Sequence, residues 1–174
     1  NVYKLLTVGR ISKEKGQLMI PKIAYELKKR GYKFMWYIIG DGDLRLEVQN
    51  NIENYKVCDC VKILGVRKNP YSYMLDCDIY IQPSYTEGYS TTICEAGILG
   101  KPIIGTEPSG GIHDQIINGY DGYIVNATEL DLTNGIEKLL KNKNLRYQFG
   151  KNIAKKNFEG EGEINKFLAY INDK

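Results

Sequence analysis

The chain has 174 residues, enough for one ordinary domain with a real core. Hydrophobic residues make up 43% of it, which excludes a disordered chain, and a formal net charge of +3 is too small to point to nucleic acid by itself. No apolar run approaches the roughly 20 residues of a membrane-spanning helix.

Residues 3–8 read as a buried first strand, ended by Gly9. Arg10 and Lys15 flank the polar turn that follows, and Gly16 lets the backbone bend closely. An arginine forks onto phosphate oxygens, and a lysine supplies a mobile point charge. Residues 17–30 predict a helix, with Met19, Ile23 and Leu27 facing the sheet. Pro21 is tolerable there only within the first turn, and Gly31 is the stop signal.

A second strand spans 33–39, and Gly40-Asp41-Gly42 turns the chain. This is no dinucleotide fingerprint, because Arg45 stands where the third glycine belongs. Asp41 with Asp43, and Asp76 with Asp78, form D-x-D pairs. Their placement in a glycine turn and across a strand start argues against a metal site. A short helix over 44–52 and a third strand over 57–64 come next. Val66-Arg67-Lys68 then lies at a strand's C-terminal end, where open α/β sheets bind ligands. Cys58 and Cys60 would share one side of that strand. The four cysteines and the single histidine fit no common zinc spacing, so the thiols read as free and buried in a cytosolic protein.

A helix over 71–75 and a strand over 79–81 lead into the stretch that organises the chain, residues 84–96. Pro83 and Ser84 punctuate the strand end. Glu87, Gly88, Ser90 and Thr91 then build a helix N-terminus. Such a turn aims backbone N–H groups at the space above the strand, which favours an anion. Glu87 precedes the helix and Glu95 lies inside it. A carboxylate matches a pair of vicinal hydroxyls, so the two acids suit a clamp for a sugar–diphosphate–ribose ligand.

Pro102 opens a fifth strand, and a loop over 106–111 carries the pair Gly110-Gly111, which turns the chain or admits a ligand. His113, at a helix start, reads as structural. A last strand spans 119–125, Leu130, Ile136, Leu139 and Leu140 mark a helix, and helical runs over 145–157 and 164–171 are separated by a break at 160–162. Short apolar strands alternating with helices predict an α/β fold. The expected core is a Rossmann-like parallel sheet of about six strands with helices on both faces.

Several of these stretches resemble the retaining GT-B glycosyltransferases of family four, also called glycosyl transferases group 1. The resemblance rests on Glu87 and Glu95 with seven residues between them, followed by Ala96 and Gly100-Lys101-Pro102. It extends to Val8-Gly9-Arg10 with Lys15-Gly16, to Ile38-Ile39-Gly40-Asp41-Gly42, to Leu64-Gly65, and to Gln82-Pro83-Ser84, all in the family's order. The family's proline–glutamate after the glycine pair is replaced here by His113-Asp114.

The resemblance implies the C-terminal half of a GT-B fold. Residues 1–174 would form a single nucleotide-sugar-binding domain cut from a longer protein, without the N-terminal acceptor domain. It assigns Arg10, Lys15 and Glu87 to catalysis. Gly9, Val66, Arg67, Gly88, Tyr89, Ser90, Thr91 and Glu95 would bind the nucleotide sugar, with Glu95 on the ribose. A UDP-sugar or GDP-sugar would be the donor, with no metal and no other cofactor. The acceptor would be a glycan or lipid-linked molecule reached through the missing domain. The full-length enzyme would act in bacterial capsule, lipopolysaccharide or other surface polysaccharide synthesis. It would be cytoplasmic, with peripheral association at the inner membrane face and no nucleic-acid partner, and the domain alone is expected to be inactive. The competing readings are a non-catalytic nucleotide-sugar binding module, a GT-B sugar-nucleotide 2-epimerase and a flavodoxin-like signalling domain.

Overall fold

The computed structural model describes residues 2–107 and 111–158, together with Gly162, Ile164, Asn165, Leu168 and Ala169. Gly110, most of the break at 160–162 and much of the run over 164–171 lie outside the described residues.

Six strands alternate with helices: β1 (Tyr3–Val8), α1 (Ile20–Lys29), β2 (Phe34–Ile39), α2 (Arg45–Asn54), β3 (Val61–Gly65), α3 (Tyr71–Asp76), β4 (Ile79–Gln82), α4 (Thr91–Ile98), β5 (Ile103–Glu107), α5 (Ile112–Gln115), β6 (Gly122–Asn126), α6 (Glu129–Lys141) and α7 (Lys143–Ile153). Every pairing is parallel, in the order β3-β2-β1-β4-β5-β6. This doubly wound order reverses between β1 and β4, so the ligand crevice falls above those two strands. It also removes the flavodoxin-like reading, whose order is different.

The strands alternate between two cores. Leu5, Ile38, Ile79, Ile81 and Ile104 face one layer, built with Ile20, Ile23, Leu27, Val48 and Ile136. Leu6, Ile39, Tyr80 and Ile103 face the other, with Met74, Ile93, Ala96 and Ile112. Both faces of a parallel sheet are covered, which is why its strands read as continuous apolar runs. Helix α7 serves both layers, placing Phe149 in the first and Ile153 in the second. Trp36 is fully buried, and its indole N–H donates to Thr7 Oγ1 at 3.1 Å.

Most sequence-read elements hold to within a few residues, with one correction. Residues 57–60 form a turn, because the Val57 carbonyl accepts from the N–H of Cys60 and of Val61. Cys58 and Cys60 therefore share no strand face. Cys58 is exposed, whereas Cys60, Cys77 and Cys94 are buried and free. Pro21 sits within the first turn of α1, as the helix required.

One polar cluster ties α1 to α6. Glu137 accepts from Lys141 Nζ (3.0 Å), the Tyr32 hydroxyl (2.9 Å) and Arg30 Nη1 (2.7 Å). These donors, Lys141 foremost, hold its carboxyl down to about 2. A carboxyl depressed on folding contributes stability above its ordinary range near 4.5 and loses it as pH falls toward about 2. Glu137→Gln is therefore expected to unfold more readily than the natural protein at pH 7, with the difference closing between pH 4.5 and about 2. Urea unfolding at a series of pH values measures this, and a gap independent of pH would refute it.

Candidate functional site

The loop between β1 and α1 is held between two others at the strands' C-terminal ends. On one side, Ile11 N–H donates to the Asp41 carbonyl at 2.9 Å, and Leu44 N–H donates to the Ile11 carbonyl at 3.3 Å. On the other, the N–H groups of Tyr85 and Thr86 both donate to the Glu14 carbonyl, at 2.7 and 3.2 Å. These bonds span the point where the strand order reverses. They bring Lys15 and Glu87, which are 72 residues apart, into contact.

Lys15 Nζ lies 2.6 Å from each Glu87 carboxylate oxygen. Both side chains are largely withdrawn from water, with 28% and 12% exposed. Glu87 Oε2 also accepts from Ser84 Oγ at 2.9 Å and from Gln82 Nε2 at 3.0 Å. A carboxylate in a crevice with a cation and two neutral donors is a preorganised acceptor, and it holds the ammonium at the mouth of the same crevice.

Helix α4 starts just beyond, and no side chain among the described residues caps it, so its first-turn N–H groups carry the donors and the positive dipole end that favour an anion. Gln115 on α5 is fully buried and clasps the turn. Its Oε1 accepts from Ser90 N–H at 2.9 Å, and its Nε2 donates to the Ser90 carbonyl at 2.7 Å. The Ser90 N–H is thus turned inward, and Ser90 Oγ lies 3.2 Å from Thr92 Oγ1. A Cβ at Gly111 would stand 2.1 Å from the Gly88 carbonyl oxygen, so Gly111 packs directly on the α4 turn. Gly88, Tyr89 and Thr91 remain exposed on its outer side.

Glu95 lies one turn inside α4 and is half-buried, and its Oε1 accepts from the Tyr71 hydroxyl at 3.2 Å. Arg10 turns the other way. Its Nη2 is 3.0 Å from Asp43 Oδ2 in an exposed pair, and Asp41 pairs with Arg45 at 2.8 Å. Gly9 ends β1 beside Ile39, to whose carbonyl its N–H donates at 2.9 Å. Val66 and Arg67 are exposed after β3, two strands from β1 and hence about 10 Å to the side. His113 is exposed, with Nε2 2.9 Å from Glu107 Oε1. The structure thus unites Lys15, Glu87 and the α4 turn, sets Glu95 on its flank, and leaves Arg10, Val66 and Arg67 at the rim. Gln82, Gln115 and Tyr71 stand beside these residues and were not among the expected site residues. Gln82 lies in the stretch Gln82-Pro83-Ser84 that carries the family resemblance and ends the apolar run 79–82, whereas Gln115 and Tyr71 carry no motif signature.

A family model described as glycosyl transferases group 1 matches residues 1–156, nearly the whole chain. The chain belongs to this family. Among relatives of this group 1 domain is the amylovoran biosynthesis glycosyltransferase AmsK of Erwinia amylovora, 30% identical over 129 residues, covering 70% of this chain and 31% of that protein. Another is the capsular polysaccharide biosynthesis glycosyltransferase CapM of Staphylococcus aureus, 28% identical over 155 residues, covering 86% of this chain and 40% of that one. The chain thus spans less than half the length of these curated relatives. Among solved structures, Anabaena HepE in complex with UDP superposes with a TM-score of 0.83 at 21% identity, covering 99% of this chain and 49% of that one. The C-terminal domain of the group 1 protein LpcC from Francisella tularensis gives 0.78 at 22% identity, covering 87% and 82% of the two chains. At these identities the likeness carries the fold, and it agrees with the GT-B expectation. No described helix is long and apolar enough to cross a membrane.

Proposed function

We propose that this chain is the donor-binding domain of a retaining glycosyltransferase that uses a nucleotide-diphosphate sugar. The observation that carries the reading is the Lys15–Glu87 pair at the point of strand-order reversal, beside the start of α4. The costly event in such a transfer is breakage of the bond between the sugar's anomeric carbon and the diphosphate oxygen. The electron pair departs with the diphosphate, so negative charge gathers there. Lys15 and the first-turn N–H groups of α4 stand where that charge develops. Arg10 joins them by leaving Asp43, which costs little because the pair is exposed. This assigns neutralisation of the leaving group to side chains and a helix end. Glu87 receives a positioning and electrostatic role toward the sugar, not that of a covalent nucleophile.

Glu95, oriented by Tyr71, would take the ribose hydroxyls, and the rim at Val66 and Arg67 would take the base. Uridine is favoured because HepE carries UDP in its solved complex. The relatives named for capsule and exopolysaccharide synthesis support a surface-glycan role, with the acceptor held by a further domain and with peripheral contact at the inner membrane face.

Titration of the protein with UDP, GDP, ADP, UDP-glucose, UDP-N-acetylgalactosamine and GDP-mannose, read by thermal shift, tests this. One nucleotide series at about 100 times Kd should add roughly 2.7 kcal/mol of stability. Glu95→Ala should weaken that series by about tenfold to a hundredfold, the loss of a charge-assisted hydrogen-bond pair. Undiminished affinity in Glu95→Ala would remove the ribose assignment. Absence of any shift, repeated on the full-length protein, would remove the donor-site reading itself.

A further inference from the structure

Gln82 is the last residue of β4 and is 4% exposed. A buried carboxamide is costly unless all its polar atoms are bonded, and here all are. Nε2 donates to Ser84 Oγ and to Glu87 Oε2, both at 3.0 Å. Oε1 accepts from the Tyr80 hydroxyl at 2.9 Å and from Thr92 Oγ1 at 3.2 Å. The carboxylate fixes which way the amide faces, since the flipped group would set an oxygen lone pair against it. Tyr80 is fully buried, which keeps its phenol protonated and donating, and the Val8 carbonyl lies 3.2 Å from the same hydroxyl. Gln82 thereby links β1, β4 and the first turn of α4 to one oxygen of Glu87.

Among the described residues, three donors hold Glu87: Lys15, Ser84 and Gln82. Of these three, only Lys15 is charged and on a mobile stem, and on the function proposed above it is the one drawn to the diphosphate. The neutral donors then hold the carboxylate in place while leaving its negative charge uncompensated for the sugar. We propose that Gln82 is a positioning residue, which keeps Glu87 aimed at the transferred sugar once Lys15 turns to the donor. The inference rests on the donor-site reading.

Gln82→Met and Gln82→Glu in the full-length protein test it, read as UDP release from UDP-glucose or UDP-N-acetylgalactosamine, whichever the natural protein turns over faster, and as affinity for UDP alone. Gln82→Met should lower kcat by about tenfold to a hundredfold, with KM and the Kd for UDP within about threefold of the natural protein. In Gln82→Glu two carboxylates meet, and activity should be as low at neutral pH. It should recover as pH falls and one shared proton restores a donor toward Glu87, a recovery the natural protein does not show. Natural kcat in Gln82→Met, or kcat and UDP affinity falling together, would overturn the proposal. If Gln82→Met is recovered unfolded, Gln82→Glu decides alone, and a folded protein without recovery at low pH overturns it. Failure of the natural protein to bind any nucleoside diphosphate would instead remove the donor-site reading, and this inference with it.

Discussion

Lys15→Ala in the full-length protein is expected to lower kcat by about two to three orders of magnitude, with a much smaller rise in donor KM. The magnitude follows from what the ammonium does before and during transfer. At rest it sits 2.6 Å from both oxygens of a carboxylate that is only 12% exposed. On the function proposed above, it meets during transfer charge that exists only as the diphosphate departs, so its loss should fall on turnover more than on binding. Removing it also takes from Glu87 the ammonium that faces both its oxygens, and leaves Ser84 and Gln82 of the three donors named above. Lys15→Arg keeps the charge but replaces a compact ammonium with a planar fork, and should recover activity only in part. Steady-state kinetics on the three proteins measure this. A kcat within threefold of the natural value in Lys15→Ala would remove the residue from the leaving-group role.

The residues show why the fold and much of the site were legible in the sequence. A parallel sheet covered on both faces demands short apolar runs, and 3–8, 33–39, 79–81 and 103–104 supply them directly. Lys15 and Glu87 stood out because charged residues beside glycines in the loops after strands have few structural reasons to be there, and Glu95 stood out by its spacing from Glu87. What was not legible is what depends on contacts between distant segments. The turn at 57–60 looks like strand because Val57, Cys58 and Cys60 have the right composition, and only the hydrogen bonds to the Val57 carbonyl show otherwise. The inward turn of the Ser90 N–H needs Gln115, 25 residues away. The partner that Arg10 chose, Asp43, lies 33 residues away, in a turn whose aspartates were read without their arginines. Long-range polar pairing leaves no periodicity, so a single chain does not announce it.

Gly16→Ala is expected to be strongly destabilising, and a second glycine supplies the measure. Gly16 has φ +69, and a Cβ there would stand 1.9 Å from the Pro83 carbonyl oxygen, a backbone atom that cannot step aside. Gly31 has φ +86, and a Cβ there meets nothing within 4 Å. Gly31→Ala therefore reports the left-handed backbone alone, about 1–2 kcal/mol. Gly16→Ala adds displacement of one loop from the other, for about 3–5 kcal/mol in all. At roughly 2–4 °C per kcal/mol for a domain of this size, the two should differ in Tm by several degrees or more. The clash acts at the seam where Tyr85 and Thr86 donate to Glu14, and Lys15 is the next residue. Relief of the clash must therefore part the two loops that bring Lys15 and Glu87 together. At a temperature where Gly16→Ala is still folded, its kcat should fall as well, while that of Gly31→Ala stays at the natural value. Equal Tm losses in the two variants would show that the contact with the Pro83 carbonyl adds no cost, and natural turnover in folded Gly16→Ala would show that the loops part without moving the pair.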